Sequence, residues 1–282
     1  MVNIGKMSKM KFDFINEFKG DLDLQVVRGM VPAKHILDKS KDFYYIDTGY
    51  MGNPKDKTWH RVSKNNWQVL NHYDYDELKT KTDINTLEKR FKQILNTDFQ
   101  SYRPKKRKPG KNILIVPPTN KVFLHWNILQ KEWLENVIKI LSNISDRKII
   151  IRPHPRGMRA GNKGAFWISK QYENVEVSQY VDVGGAQGGA GLQKDLDRAW
   201  CVVTYNSLSS VEAICEGIPT YAMEDGSMIW PIAQKEISKI ENLNYNVDIT
   251  QWCNDIAYTQ WTSKEHGRGE SWSHLKPVMG QR

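Results

Sequence analysis

At 282 residues the chain is long for one compact domain and suits two of roughly 110 to 170 residues each. An apolar fraction of 39% with ten Trp and twelve Tyr excludes a disordered chain, and no apolar run approaches the roughly 18 residues of a membrane span. The net charge of +9 favours polyanionic or phosphorylated partners and says nothing about fold.

The opening residues MVNIGKMSKMKFDF lack the apolar core of a signal peptide, which sets the expectation of a cytoplasmic protein. Then DLQVVRGM (Asp23 to Met30) and DFYYIDTGYMG (Asp42 to Gly52) predict strands that end in Gly turns. DINTLEKRFKQILN (Asp83 to Asn96) predicts an amphipathic helix with an Asp or Asn cap. SYRPKKRKPGKN, Ser101 to Asn112, packs six Lys or Arg and two Pro before the apolar run ILIVPP, and reads as a linker.

Beyond the linker, strand and helix alternate plainly. Strands are expected at Ile113 to Val116, Lys148 to Arg152, VEVS (Val175 to Ser178), CVVTY (Cys201 to Tyr205) and PTYAM (Pro219 to Met223). Helices are expected at Gln130 to Ser142, Phe166 to Tyr172, Leu192 to Ala199 and Ser209 to Glu216. This alternation predicts a parallel sheet covered on both faces, and such sheets bind ligands at the carboxyl ends of their strands. Candidate binding residues therefore lie at Pro117 to Asn120, Pro153 to Arg156, Tyr205 to Ser210 and Glu224 to Ser227. Cys201, Cys215 and Cys253 have no CxxC spacing and read as reduced packing residues.

Two turns carry chemistry. In IIIRPHPRG, Pro153 and Pro155 fix two φ angles, so the chain leaves the strand stiffly extended with His154 between Arg152 and Arg156. An imidazole flanked by guanidiniums suits a phosphate, although the same residues also make an ordinary solvated loop. In TYNSLSSVEAICEGIPTYA, Thr204 to Ala222, a strand runs through a polar turn into a short helix. Ser209-Ser210-Val211-Glu212 reads as a capping box, which leaves Ser207 or Ser210 for a ligand if Ser209 caps. The same Ser-rich helix start is also an anion site by its N–H groups and dipole. Gly217 is expected to end the helix.

A strand ending in R-P-H-P, followed about 50 residues on by a strand ending in polar S-S and an E-A-x-x-x-G-x-P helix, resembles GT-B nucleotide-sugar glycosyltransferases. It is similar in particular to capsule-polysaccharide, CDP-glycerol and sialyl transferases. The matching residues are Arg152, Pro153, His154 and Pro155, then Asn206, Ser207, Ser209, Ser210, Glu212, Ala213, Gly217 and Pro219, within Ile113 to Met223. The resemblance implies two Rossmann-like domains facing a cleft. Residues 1–108 would form an acceptor-side domain and 109–250 a donor-binding domain, with 251–282 as C-terminal helices crossing back to the first.

By the same resemblance, His154 and the serines neutralise the diphosphate of a donor, a UDP-sugar being expected, and Glu212 binds the ribose hydroxyls. Arg152 and Asn206 join them, and no metal is required. Three D-x-D matches, at Asp21, Asp74 and Asp195, are discounted, because 32 acidic residues make such matches common by chance and the one at Asp195 reads as helical. An inverting transfer needs a general base from the first domain, and Asp47 in YYIDTGYMGN is the candidate. A retaining transfer needs none.

VGGAQGGAGLQK, Val183 to Lys194, matches no phosphate-loop fingerprint and reads as a loop near the donor. In the C-terminal segment Trp252, Ile256, Tyr258 and Trp261 are spaced like one helix face. For the acceptor, the basic run Arg103, Lys105, Lys106, Arg107 and Lys108, with KNNW (Lys64 to Trp67), favours DNA, such as hydroxymethylated pyrimidines of a phage genome. A cell-surface glycan acceptor, a nucleotide-sugar epimerase and a non-catalytic DNA-binding protein stay open as alternatives, as does the oligomeric state.

Overall fold

The computed structural model describes residues 25–28, 43–51, 59–64, 89–90, 93, 109–125, 127–155, 158, 164–181 and 189–275. Outside them lie the basic run Arg103 and Lys105 to Lys108, Asn65 to Trp67, and the Asp21/Asp23 and Asp74/Asp76 pairs. Arg156, most of the helix expected from Asp83 to Asn96 and the Gly-rich stretch before Gly189 also fall outside. The chain divides into two compact units, residues 1–101 with 250–282, and residues 102–249.

In the first unit, strands β1 (Gln25–Arg28) and β2 (Phe43–Thr48) pair in parallel, and β3 (Trp59–Lys64) pairs antiparallel with β2. Phe43 to Ile46 are buried, while Asp47 and Thr48 emerge toward solvent at the strand's end. The register sets Asp47 opposite Arg61.

The second unit holds five parallel strands: β4 (Asn112–Ile115), β5 (Ile149–Ile151), β6 (Val175–Val177), β7 (Ala199–Thr204) and β8 (Thr220–Ala222). Their order is β6-β5-β4-β7-β8. That is the doubly wound order of a Rossmann-like sheet, which reverses direction between β4 and β7. The helices are α1 (Asn120–His125), α2 (Gln130–Ile144), α3 (Gly164–Ser169), α4 (Gly189–Leu196) and α5 (Ser209–Cys215).

The strand period of two sorts the core onto two faces. Ile113, Ile115, Ile149, Ile151, Cys201 and Val203 meet Trp133, Leu134, Val137, Ile138 and Leu141 of α2 with Ala165 and Ile168 of α3. Leu114, Val116, Ile150 and Val202 meet Leu192 and Leu196 of α4 with Ala213 of α5. The unbroken apolar runs Ile113 to Ile115 in β4 and Ile149 to Ile151 in β5 are thus what a sheet covered on both faces requires. Gly217 closes α5 at φ 74°, with its N–H donating to the Ile214 carbonyl and the Ile218 N–H to the Ala213 carbonyl. That left-handed stop lets the chain turn directly into β8.

The C-terminal segment completes the first sheet. Helix α6 (Thr250–Ala257) buries Trp252 and Ile256, and strand β9 (Gln260–Thr262) then pairs antiparallel with β3. Short helices α7 (Ser263–Gly267) and α8 (Glu270–Leu275) follow. The helix face expected from Trp252 to Trp261 is therefore broken, and Trp261 lies buried in a strand. The described sheet of this unit, in the order β1-β2-β3-β9, is mixed, whereas a Rossmann-like sheet would be parallel. The cause is connection length: residues 49–58 are too few for the crossover helix that a parallel β2 to β3 step needs.

Candidate functional site

Parallel sheets leave a crevice where the strand order reverses, here at the carboxyl ends of β4 and β7. Three turns gather at that edge: Val116 to Asn120 after β4, Arg152 to Pro155 after β5, and Tyr205 to Leu208 after β7. Because β5 and β7 flank β4, their exits stand about 10 Å apart by the strand spacing, a span suited to a diphosphate.

Thr204 builds the turn after β7. Its hydroxyl donates to the Val116 carbonyl at 2.8 Å, stitching β7 to β4, and accepts the Ser207 N–H at 2.9 Å. Sequence reasoning missed this residue as a site element; its place as the last strand residue before a polar turn was the available signal. Asn206 follows and is only 3% exposed, yet its carboxamide makes no hydrogen bond among the described residues and its Oδ1 is fully buried. A buried amide oxygen costs about 1–3 kcal/mol when unpaired, which makes Asn206 a candidate contact for an incoming group at the crevice.

The serines divide differently from the expected capping box. Leu208 occupies the cap position of α5 with no side-chain hydrogen bond. Ser210 is fully buried, its hydroxyl donating to the Ser207 carbonyl at 2.6 Å and lying 3.7 Å from the Met228 sulfur. Ser207 is buried too, its Oγ accepting the Ser209 N–H at 3.4 Å. Ser209, half-buried, keeps an uncommitted hydroxyl among the described residues. Local bonding within the turn satisfies the helix start, so Ser209 and Glu212 are released from capping.

Glu212 reaches solvent from the first turn of α5. Surrounding protein mass, which disfavours its charge, pushes its carboxyl up to about 7; the Arg152 charge opposes this and Glu216 adds to it. An accessible carboxyl with a displaced pKa beside a crevice has the character of a ligand-site group.

Arg152 is committed elsewhere. Its Nη1 meets Asp195 Oδ2 at 2.5 Å and the carbonyl oxygens of Tyr180 and Gly191 at 3.3 Å. Asp195 Oδ2 also accepts the Ser178 hydroxyl at 2.6 Å. Arg152 therefore pins the start of α4 to the exits of β5 and β6, and its charge acts on the crevice from within the protein. Asp195, the first residue of the helical D-x-D match, is buried as its counterion. His154 is half-buried at the exit of β5, and Pro153 beside it is buried.

Asp47 sits in the first unit, apart in sequence from these turns. Its carboxylate accepts the Tyr45 hydroxyl and, at 2.8 Å, the Thr48 N–H, and pairs with Arg61 at 3.5 Å. Burial raises its pKa, but the Arg61 charge and the two hydrogen bonds prevail and hold it below the usual carboxylate range. The C-terminal segment supports the same corner: Gln260 Oε1 accepts the N–H groups of Tyr50 and Met51 at 2.7 and 3.0 Å. Its Nε2 donates to the Met51 carbonyl at 2.8 Å, and Arg90 in turn binds Glu265 and the Gln260 carbonyl.

Among solved structures the chain is similar to a β-Kdo 2,7 transferase, KpsC of Thermosulfurimonas dismutans, at 16% identity and TM-score 0.47, covering 96% of this chain and 91% of that one. A β-Kdo 2,4 transferase, also KpsC of that organism, matches at 12% identity and TM-score 0.42 over 86% and 81%. UDP-GlcNAc 2-epimerase of Methanocaldococcus jannaschii matches at 11% identity and TM-score 0.39 over 90% and 76%. No family model and no curated protein matches the chain. Among the described residues no helix is long and apolar enough to cross a membrane.

Proposed function

We propose that the chain is a GT-B-type glycosyltransferase that moves a sugar from a UDP-sugar to an acceptor hydroxyl, with hydroxymethylated pyrimidine in DNA as the acceptor. The carrying observation is the uncommitted carboxamide of buried Asn206 at the crevice where the sheet reverses. In this reading the Asn206 Nδ2 and the Ser209 hydroxyl donate to the diphosphate, and His154 faces it from the neighbouring turn. Glu212 accepts from the ribose hydroxyls.

The reaction forms a bond between the acceptor oxygen and the anomeric carbon and breaks the bond from that carbon to the diphosphate, which leaves with the electron pair. Donors already aimed at the diphosphate stabilise the charge it gains, the work a divalent ion performs in other sugar transferases. The acceptor hydroxyl must lose its proton. In this reading Asp47 takes that proton as general base and releases it to water, its lowered pKa making it a weak base that holds the proton only in passing. The net charge of +9 and the basic run from Arg103 to Lys108 support a DNA acceptor.

The test is a thermal-shift screen of nucleotide sugars, followed by incubation of the responding donor with hydroxymethylated and plain DNA and mass analysis of the nucleosides. A sugar-sized increment on the modified base alone is expected, and His154→Ala should abolish it while the fold persists. An epimerised donor with no increment on any acceptor would make the chain an isomerase instead.

A further inference from the structure

The turn after β8, Glu224 to Ser227, has no part in holding the diphosphate. Strand β8 is the neighbour of β7, so this turn leaves the sheet roughly 5 Å from the Asn206 turn by the strand spacing. Thr204 pairs with Ala222 in parallel register, and the Met223 N–H donates to the Thr204 carbonyl at 2.9 Å. The chain then reverses tightly: the Ser227 N–H donates to the Glu224 carbonyl and the Gly226 N–H to the Glu224 carboxylate, both at 3.1 Å. A Cβ at position 226 would meet that carboxylate at 2.9 Å, so only glycine lets the backbone close on it. Glu224 is half-buried and Asp225 exposed.

Tyr205 points a buried polar group at this turn. Its ring packs against Phe123 of α1 and Trp133 of α2, with centroids 5.1 and 6.1 Å away, and the residue is 7% exposed. A buried tyrosine ordinarily gives its hydroxyl a partner, yet this hydroxyl makes no hydrogen bond among the described residues. Burial raises its pKa, and the nearby Glu224 and Asp225 charges raise it further, so the phenol keeps its proton. Asn206, next in the chain and 3% exposed, brings its own unpaired Oδ1 to the same crevice. Tyr205 belongs to the sheet face covered by α2, whereas α5, which carries Glu212, packs on the other face. The phenol and the ribose-side carboxyl therefore flank the Asn206 turn from opposite sides.

Two carboxylates accept hydrogen bonds, and a protonated phenol both donates and accepts. An uncharged group with several hydroxyls meets all three. A divalent cation would meet the carboxylates but leave the phenol proton without an acceptor. A sugar acid would bring a third negative charge against two that are already there.

We infer that Tyr205, Glu224 and Asp225 form the sugar subsite of the donor pocket and select a neutral, hydroxyl-rich sugar over a sugar acid. The inference rests on the nucleotide-sugar reading and deepens it by naming the class of sugar.

The test is calorimetric affinity, in magnesium-free buffer, for UDP, for UDP-glucose, UDP-galactose and UDP-N-acetylglucosamine, and for UDP-glucuronic acid. Wild type should bind at least one neutral sugar nucleotide about tenfold more tightly than the acidic one, with the gap narrowing as salt rises. Tyr205→Phe, which keeps the packed ring, should weaken that neutral ligand about tenfold and leave UDP unchanged. Glu224→Gln/Asp225→Asn should close most of the gap by strengthening UDP-glucuronic acid. Equal wild-type affinity for the neutral and acidic sugars would overturn the subsite. So would a Tyr205→Phe loss shared equally by UDP, which would put the nucleotide there, or a preference that appears only when magnesium is added, which would put a cation there. UDP binding without sugar discrimination removes the subsite alone, whereas no binding of any of these nucleotides removes the nucleotide-sugar reading with it.

Discussion

Arg152 Nη1 lies 2.5 Å from Asp195 Oδ2, with both side chains almost wholly withdrawn from water at 5% and 2% exposure. The contact turns a residue that looks like a phosphate ligand into a structural post. Its charge is balanced inside the protein, and the free donors of the crevice come from other residues.

Removing one partner strands the other as a buried charge. Arg152→Ala or Asp195→Ala should lower unfolding free energy by about 3–5 kcal/mol in urea titrations. Replacing both with Met and Leu should recover most of that loss. Single variants that melt like wild type would mean the pair is not what holds α4 to β5 and β6.

Asn206→Ala separates binding from folding. The carboxamide has no partner to lose, so stability should hold or rise slightly, while calorimetric UDP affinity should fall about tenfold with the loss of one hydrogen bond to a charged group. Equal affinity would take Asn206 out of the site.

Much of the second unit was legible in the sequence because its signals are local. The isoleucine and valine runs of β4, β5 and β7 and the amphipathic α2 carry their own periodicity, and Gly217 marks a stop that only a left-handed residue makes well. The first sheet was half legible. The apolar runs of β1 and β2, followed in the sequence by Gly29 and Gly49, marked those strands, but β9 was hidden because Trp261 continues the helical spacing of Trp252 and Ile256, and only pairing with β3 makes it a strand. At the site, the turns were legible and the allocation of their side chains was not. Whether Ser209 caps depends on Thr204 and Ser207 satisfying the turn first, and Arg152 meets Asp195 only after the chain has folded.

The two serines offer a contrast within one turn. Ser210→Ala removes a buried hydroxyl that donates at 2.6 Å and should cost about 1 kcal/mol of stability by thermal unfolding. Ser209→Ala should leave the melting temperature unchanged and weaken UDP binding. The reverse pattern would restore Ser209 as the cap.

Glu212 makes stability depend on pH in a known direction. Its carboxyl, ordinarily near 4.5, is raised to about 7, so the folded protein keeps a proton that the unfolded chain releases within that window. The ionised form costs stability: nothing below about 4.5, progressively more as pH rises through 7, and the full amount above. Glu212→Gln should therefore stabilise the protein in mildly alkaline buffer, by about 1 kcal/mol because the side chain reaches screening solvent, and should be neutral in acid. A gain confined to acid would reverse the assignment.

Backbone hydrogen exchange with and without UDP tests the central claim most directly, because it reports where the nucleotide sits. The account predicts protection gathered at Val116 to Asn120, Arg152 to His154 and Tyr205 to Glu212, lost in Asn206→Ala. Protection confined to the first unit, or none at saturating UDP, would contradict it.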